Sequence, residues 1–243
     1  MFSFLSPKKE ILSTGILSGM TDVHCHLLPG VDDGVANLEE ARRALDLMER
    51  IGVARVFLTP HVMEDMPDNR PEFLRERLAW FKEQVQTPIQ FKLAAEYMLD
   101  NAFAERRKDG LLTLGSNHVL VETSYLSAPY DMEDTLYDLQ AEGYQPVLAH
   151  AERYMYMEQE DYDRLQEHGI VFQLNLMSLA GTYGQLPYEK AVSMLEKGYY
   201  RFVGSDYHRR SVYEKSLEHL RLKKKQIQQL GELLANNLNL WNM

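Results

Sequence analysis

Two short motifs near opposite ends of the chain carry side chains that bind cations: His24-Cys25-His26 and Asp206-Tyr207-His208. In an extended segment, residues two apart point to the same side. His24 and His26 can therefore face one ion, as can Asp206 and His208. Between them lie His61, within Thr59-Pro60-His61, and His150, within His150-Ala151-Glu152-Arg153. Neutral imidazole with carboxylate suits manganese, iron or zinc, whereas a thiolate site would need more than the single cysteine present. One His-x-His pair is weak evidence; joined to Asp-x-His and two further histidines, it points to a metal centre. Cys25 is read as a small packed side chain, because a cysteine phosphatase would place a phosphate-binding arginine six residues on, where this chain has Val31. His118, His168 and His219 are read as structural or surface residues.

Groups so far apart in sequence need elements that gather them. Apolar, β-branched runs predict strands over residues 20–24, 53–58, 89–95, 118–121, 146–149, 170–176 and 200–203. Helical spacing predicts helices between them. Asn37, with Glu40 three residues later, resembles a helix start, and Gly52 a stop. Further helices are predicted over 71–85, 101–108, 131–142, 162–168, 187–197 and 212–234. Strand–helix alternation implies a parallel sheet. Seven repeats with no Pro-, Ser- or Gly-rich linker predict one α/β domain over residues 1–243, a closed or nearly closed barrel. In such barrels, functional groups collect at the carboxyl ends of strands. There the chain places His24, His26, Asp32 and Asp33, then His61, Glu96, Glu122, His150, Arg153, Asn175, Asp206 and His208.

Composition narrows the classes. Hydrophobic residues at 45% and charged residues at 26% of 243 exclude disorder and collagen-like repeats. The formal charge of -10, from 36 acidic and 26 basic residues, argues against nucleic acid as the main partner. One cysteine forms no internal disulfide, as expected of a reducing compartment. No stretch approaches the ~20 apolar residues of a transmembrane segment, and residues 1–19 lack a secretory pattern. The expectation is a cytoplasmic protein. The basic cluster over residues 221–225 is read as a solvated helix face.

The first block runs Asp22-Val23-His24-Cys25-His26-Leu27-Leu28-Pro29-Gly30-Val31-Asp32-Asp33-Gly34. With Thr59-Pro60-His61, Ala95-Glu96, His150-Ala151-Glu152-Arg153-Tyr154 and Ser205-Asp206-Tyr207-His208, it resembles the polymerase-and-histidinol-phosphatase (PHP) superfamily. Within it, the chain is similar to the bacterial manganese-dependent tyrosine-protein phosphatases of capsule and exopolysaccharide synthesis, over about residues 20–210. That resemblance implies a distorted (β/α)7 barrel with parallel strands and a site for three metal ions, manganese first, with iron or zinc as alternatives. It implies one ion on His24, His26, Glu96 and Asp206, a second on Asp33, His61 and His208, and a third on Glu96, Glu122 and His150. The family commonly has a spacer between the last histidine and an arginine, whereas here Arg209 and Arg210 follow His208 at once.

Three divalent ions outweigh the carboxylates of Asp33, Glu96, Glu122 and Asp206, so such a site complements a phosphomonoester dianion despite the acidic chain. Metal binding lowers the pKa of water from 15.7 to about 7, which makes hydroxide attack on phosphorus the implied reaction. Arg153 would bind phosphate through its forked donors, with Arg209 as a second contact, and Asp206 or His208 would steer water or a proton. The implied substrate is protein phosphotyrosine on a bacterial tyrosine autokinase. Tyr125, Tyr130, Tyr154 and Tyr156 either flank its ring or pack. Two other readings stay open: a histidinol-phosphatase-like enzyme for a small metabolite, and an inactive module that binds a phosphoprotein. The sequence leaves the oligomeric state open.

Overall fold

The computed structural model describes residues 7–243; residues 1–6, part of the segment expected to lack a secretory pattern, lie outside them. The architecture is mixed α/β with parallel sheets. A three-stranded sheet holds β1 (Met20–Asp22), β2 (Val53–Leu58) and β4 (Gln90–Leu93), with β2 in the middle. A six-stranded sheet holds β3 (His61–Val62), β5 (Glu96–Met98), β6 (His118–Glu122), β7 (Gln145–Leu148), β8 (Val171–Asn175) and β9 (Tyr200–Gly204), in that spatial order. Every pairing in both is parallel.

The second and third expected strands are each followed by a short further strand, β3 and β5, that lies beyond the expected ranges. Thr59-Pro60 separates β2 from β3, and proline has no N–H to give the ladder. Ala94-Ala95 separates β4 from β5. Hydrogen bonds still cross both breaks, from Ala94 N to Leu58 O (2.9 Å) and from Glu96 N to Pro60 O (3.1 Å).

The regular ladder does not close. Between β1 and β9, the described residues contribute one isolated bridge, Cys25 with Tyr207. It is flanked by Asp206 N to His24 O (2.8 Å) and His26 N to Tyr207 O (3.0 Å). Lower down, the buried Asn237 fills the gap: its Nδ2 donates to Thr21 O (2.8 Å) and Val203 O (2.6 Å), and its Oδ1 accepts from Val203 N (3.2 Å). Gly204 lets the two chains approach, since a Cβ there would lie 2.4 Å from that of His24.

The helices are α1 (Leu38–Ile51), α2 (Pro71–Gln84), α3 (Phe103–Arg106), α4 (Met132–Ala141), α5 (Gln159–Glu167), α6 (Gln185–Lys197), α7 (Arg210–His219) and α8 (Lys224–Trp241). The Asn37 side chain accepts from Glu40 N (3.0 Å) to start α1, and Gly52, at φ 97, ends it as expected. The long helix expected over 212–234 is instead two helices. Leu220 is extended and fully buried between them, and Arg221–Leu222 pairs antiparallel with Lys9–Glu10. Arg221, Lys223, Lys224 and Lys225 are exposed, but the first lies on a strand and Lys223 caps α8.

Strand alternation sorts the core into two clusters. Phe57, Leu120, Val147 and Phe202 join Val23, Leu240 and Trp241 in one; Val56, Leu58, Val119, Val121, Leu148 and Val203 join helix residues in the other. The Trp241 ring packs edge-on against Phe57 at 5.0 Å, so the end of α8 covers the smaller cluster. Among the described residues, no helix is long and apolar enough to cross a membrane.

Candidate metal centre

Parallel strands end on one side, and there the structure brings all nine expected ligands together. His24 and His26 follow β1, His61 opens β3 and Glu96 opens β5. Glu122 ends β6, His150 follows β7, Asp206 and His208 follow β9, and Asp33 sits on the loop after His26. Glu96 is the hub and is fully buried. Its Oε2 lies 3.1 Å from His24 Nε2, 3.2 Å from His26 Nε2 and 3.1 Å from His61 Nδ1. Its Oε1 lies 2.9 Å from His150 Nε2. Glu122 Oε1 is 2.9 Å from His61 Nδ1, Asp206 Oδ1 is 3.5 Å from His24 Nε2, and Asp33 Oδ1 is 3.3 Å from His208 Nε2. Four groups that could hold a metal ion have donor atoms within 4.8 Å of one another: His26-His61-His208, His24-His26-Asp206, His24-Glu96-His150 and His61-Glu96-Glu122.

Donor counting tests whether these groups suit cations. His26 Nδ1 donates to Asp32 Oδ2 (2.8 Å), which as a carboxylate oxygen only accepts. His24 Nδ1 donates to the amide oxygen of Gln173 (3.0 Å). In the neutral rings, both Nε2 atoms are then bare, and they stand 3.0 Å apart beside Glu96 Oε2. Three converging lone pairs in a buried place call for positive charge between them, a proton or a metal ion. His61 Nδ1, Glu96 Oε2 and Glu122 Oε1 are likewise buried without a hydrogen-bond partner. The residues fit metal ions.

The electrostatics point the same way. Burial disfavours a charged imidazole, yet Glu96 and Asp206 push His24 up to about 9. Against the same burial, Glu96, Asp33 and Glu122 push His61 up to about 12, and Asp206 with Asp33 pushes His208 up to about 11. Burial would raise the Glu96 carboxyl, but His24 and His61 hold it well below the usual carboxylate range. Carboxylates this concentrated hold positive charge around themselves, as protons or as metal.

Arg153 stands over the cluster. Its guanidinium carbon is 4.2 Å from the Tyr125 ring centroid and 4.1 Å from that of Tyr183, and Nη1 donates to Asp206 Oδ2 (2.8 Å). Asn175 Nδ2 donates to the same Asp206 oxygen (2.9 Å) and to Tyr183 Oη (3.1 Å). A cavity of about 350 Å³ is lined by Asp33, His61, Arg153, His208 and Arg209, among others. Arg210 turns instead to Glu214 (3.3 Å), so Arg209 is the arginine of the pair that reaches this cavity.

Of the four tyrosines considered for a substrate ring, Tyr125 lines the cavity but is taken up by Arg153. Tyr154 is fully buried, Tyr156 hydrogen-bonds Thr123 (2.6 Å), and Tyr130 is exposed beside a separate cavity. Cys25 is fully buried, which pushes its thiol up and leaves no nucleophile. His118, His168 and His219 lie outside the four ligand groups. Sequence reasoning placed Asp32 at this end of the strands without a role, and missed Gln173 and Tyr183 as partners of the site. The available signals were the doubled Asp32-Asp33 and a lone glutamine inside the apolar run Val171-Phe172-Gln173-Leu174. Backbone strain marks the site too: His150 (φ 33) and Asp206 (φ 50) are the non-glycine residues with positive φ among those described.

Residues 20–240 match the family model described as capsular polysaccharide synthesis, CpsB/CapC. The chain belongs to this family. CpsB/CapC relatives include YwqE of Bacillus subtilis (strain 168), a tyrosine-protein phosphatase 29% identical over 201 residues, 78% of this chain and 77% of the relative. CpsB of Streptococcus pneumoniae, also a tyrosine-protein phosphatase, is 28% identical over 202 residues, 78% and 83% of the two chains. A crystal structure reported with YwqE and CpsB as unique metal-dependent tyrosine phosphatases superposes with a TM-score of 0.78 at 26% identity. It covers 92% of this chain and 94% of the other.

Proposed function

We propose that this chain is a metal-dependent tyrosine-protein phosphatase of capsule or exopolysaccharide synthesis, acting in the cytoplasm on the phosphotyrosines of a tyrosine autokinase. In this reading residues 1–243 form one domain, and the two sheets are arcs of a single distorted seven-stranded barrel in which β2 with β3, and β4 with β5, each count once. Hydrogen bonds across both breaks and the Cys25–Tyr207 bridge support that arrangement. The observation that carries the functional reading is a buried Glu96 ringed by His24, His26, His61 and His150, with Arg153 opening onto the adjoining cavity.

His24, His26, Asp33, His61, Glu96, Glu122, His150, Asp206 and His208 would hold three divalent ions, manganese first. Bound there, the ions would supply positive charge and an acidified water. The remaining work falls to the chain's own groups. Arg153, its Nη1 tied to Asp206, also lines the cavity, where its remaining donors would bind the phosphoryl oxygens. The Tyr125 and Tyr183 rings hold that fork in one orientation. His208 keeps its proton on Nδ1, facing the Asp206 carbonyl (3.0 Å), and so presents Nε2 to Asp33. Arg209 adds a second cation at the cavity wall. A tyrosine phenolate, with pKa ~10, leaves with little acid assistance.

The test is phosphate release from a phosphotyrosine peptide with Mn²⁺, with histidinol phosphate run beside it. We expect turnover of the peptide that Glu96→Ala abolishes. Peptide turnover no faster than that of the metal-loaded Glu96→Ala control would remove the reading, and faster turnover of histidinol phosphate would move it to small metabolites.

A further inference from the structure

Gln173 lies in the middle of β8 and is fully buried directly beneath the candidate metal centre. Its Oε1 receives two donors, His24 Nδ1 (3.0 Å) and the backbone N–H of His150 (3.0 Å). The amide cannot be turned over. The His150 N–H must meet an oxygen, and the Leu174 carbonyl, which faces the other end of the amide, must meet Nε2. His24 therefore carries its proton on Nδ1, and its Nε2 is the atom that faces Glu96 and Asp206. The second bond acts on backbone: His150 sits at φ 33, ψ 48, a conformation a residue with a side chain seldom holds unaided. Gly204 keeps the space above the amide clear, since a Cβ there would come within 3.0 Å of Gln173 Nε2.

We propose that Gln173 is a positioning residue for this centre: one amide oxygen that sets the tautomer of His24 and anchors the strained backbone of His150, so that imidazoles from two strands converge on Glu96. The inference rests on the metal-binding reading above. A neutral amide suits the place. A carboxylate would still accept from both donors but would set oxygen against the Leu174 carbonyl, and a hydrocarbon would leave both donors unpaired.

The full chain, stripped of metal, is titrated with Mn²⁺ while free Mn²⁺ is followed by electron paramagnetic resonance, for wild type, Gln173→Met and Gln173→Glu. The expected result is a 10–100-fold loss of affinity in Gln173→Met. Gln173→Glu, which keeps both acceptor contacts, recovers most of that loss. Wild-type affinity in Gln173→Met, or equal losses in both variants, overturns the assignment. Should Gln173→Met fail to fold, nitrogen NMR of the Zn²⁺-loaded wild type decides: a proton on His24 Nδ1 supports the proposal, and one on Nε2 overturns it. A wild type that binds neither metal would sink the metal-binding reading and this inference with it.

Discussion

Asn237 spans the open seam between the first and last strands, beside the bond from Ser205 N to Asp22 Oδ1 (2.9 Å), and replacing it with leucine tests whether that seam holds the site together. Leucine has the branching and heavy-atom count of asparagine, is somewhat bulkier, and offers no polar atom. The substitution strips partners from three backbone groups, the carbonyls of Thr21 and Val203 and the Val203 N–H. Asn237 is wholly buried, so water does not reach these groups without local opening. A buried group left unpaired costs ~1–3 kcal/mol. Three of them, reduced by the gain from burying a hydrocarbon, amount to about 3–5 kcal/mol, a large share of the ~5–15 kcal/mol typical of a folded domain. At ~2–4 °C per kcal/mol for a chain of this size, the melting temperature should fall by about 6–20 °C. Urea unfolding of the metal-free protein, followed by tryptophan fluorescence, measures the loss, with Trp241 on the same helix as reporter. Because His24 and His26 extend β1, and Asp206 and His208 extend β9, metal affinity should weaken as well. An Asn237→Leu variant within about 1 kcal/mol of wild type would refute the reasoning, since it would mean that the seam groups find other partners.

Two further outcomes follow from single side chains. Arg153→Lys keeps the charge but loses the planar fork held between Tyr125 and Tyr183, so phosphotyrosine turnover should fall about 10²-fold, the ~3 kcal/mol expected for losing a donor aimed at developing charge. A fall of less than fivefold, with metal content unchanged, would contradict that role. Burial, aided by the Arg201 cation, holds the His118 imidazole below its ordinary value of 6.5. Below pH 6.5 the unfolded chain takes up a proton that the folded chain resists, so stability falls with acidification, and His118→Phe should flatten that slope. A proton NMR titration midpoint for His118 at or above 6.5 would contradict this.

Much of the site was legible because the chemistry sits where strands end. His24 and His26 share a side through extended-chain geometry, and each lies beside a predicted strand end, so a parallel sheet gathers them without knowledge of any contact. The helix borders at Asn37 and Gly52 were equally local, resting on a side-chain cap and a left-handed glycine. The remaining features depended on neighbours remote in sequence. Helical spacing runs on past Leu220, yet burial of that residue and pairing of Arg221–Leu222 with Lys9–Glu10 split the expected helix in two. The choice between Arg209 and Arg210 turned on Glu214, one turn into α7, which engages the second of them.

The sequence by itself determined the alternation of strands and helices, the cation-binding residue types and the face on which they meet, because backbone periodicity and turn chemistry act over a few residues. Only the tertiary structure decided that Glu96 is the hub, that Asp32 and Gln173 orient the imidazoles, and that Tyr183 and Asn175 brace Arg153. A lone glutamate or glutamine in an apolar run has the same local signature whether it is a packing accident or an anchor. Its role follows from lone pairs and N–H groups brought within about 3 Å by strands up to 149 residues apart in the chain.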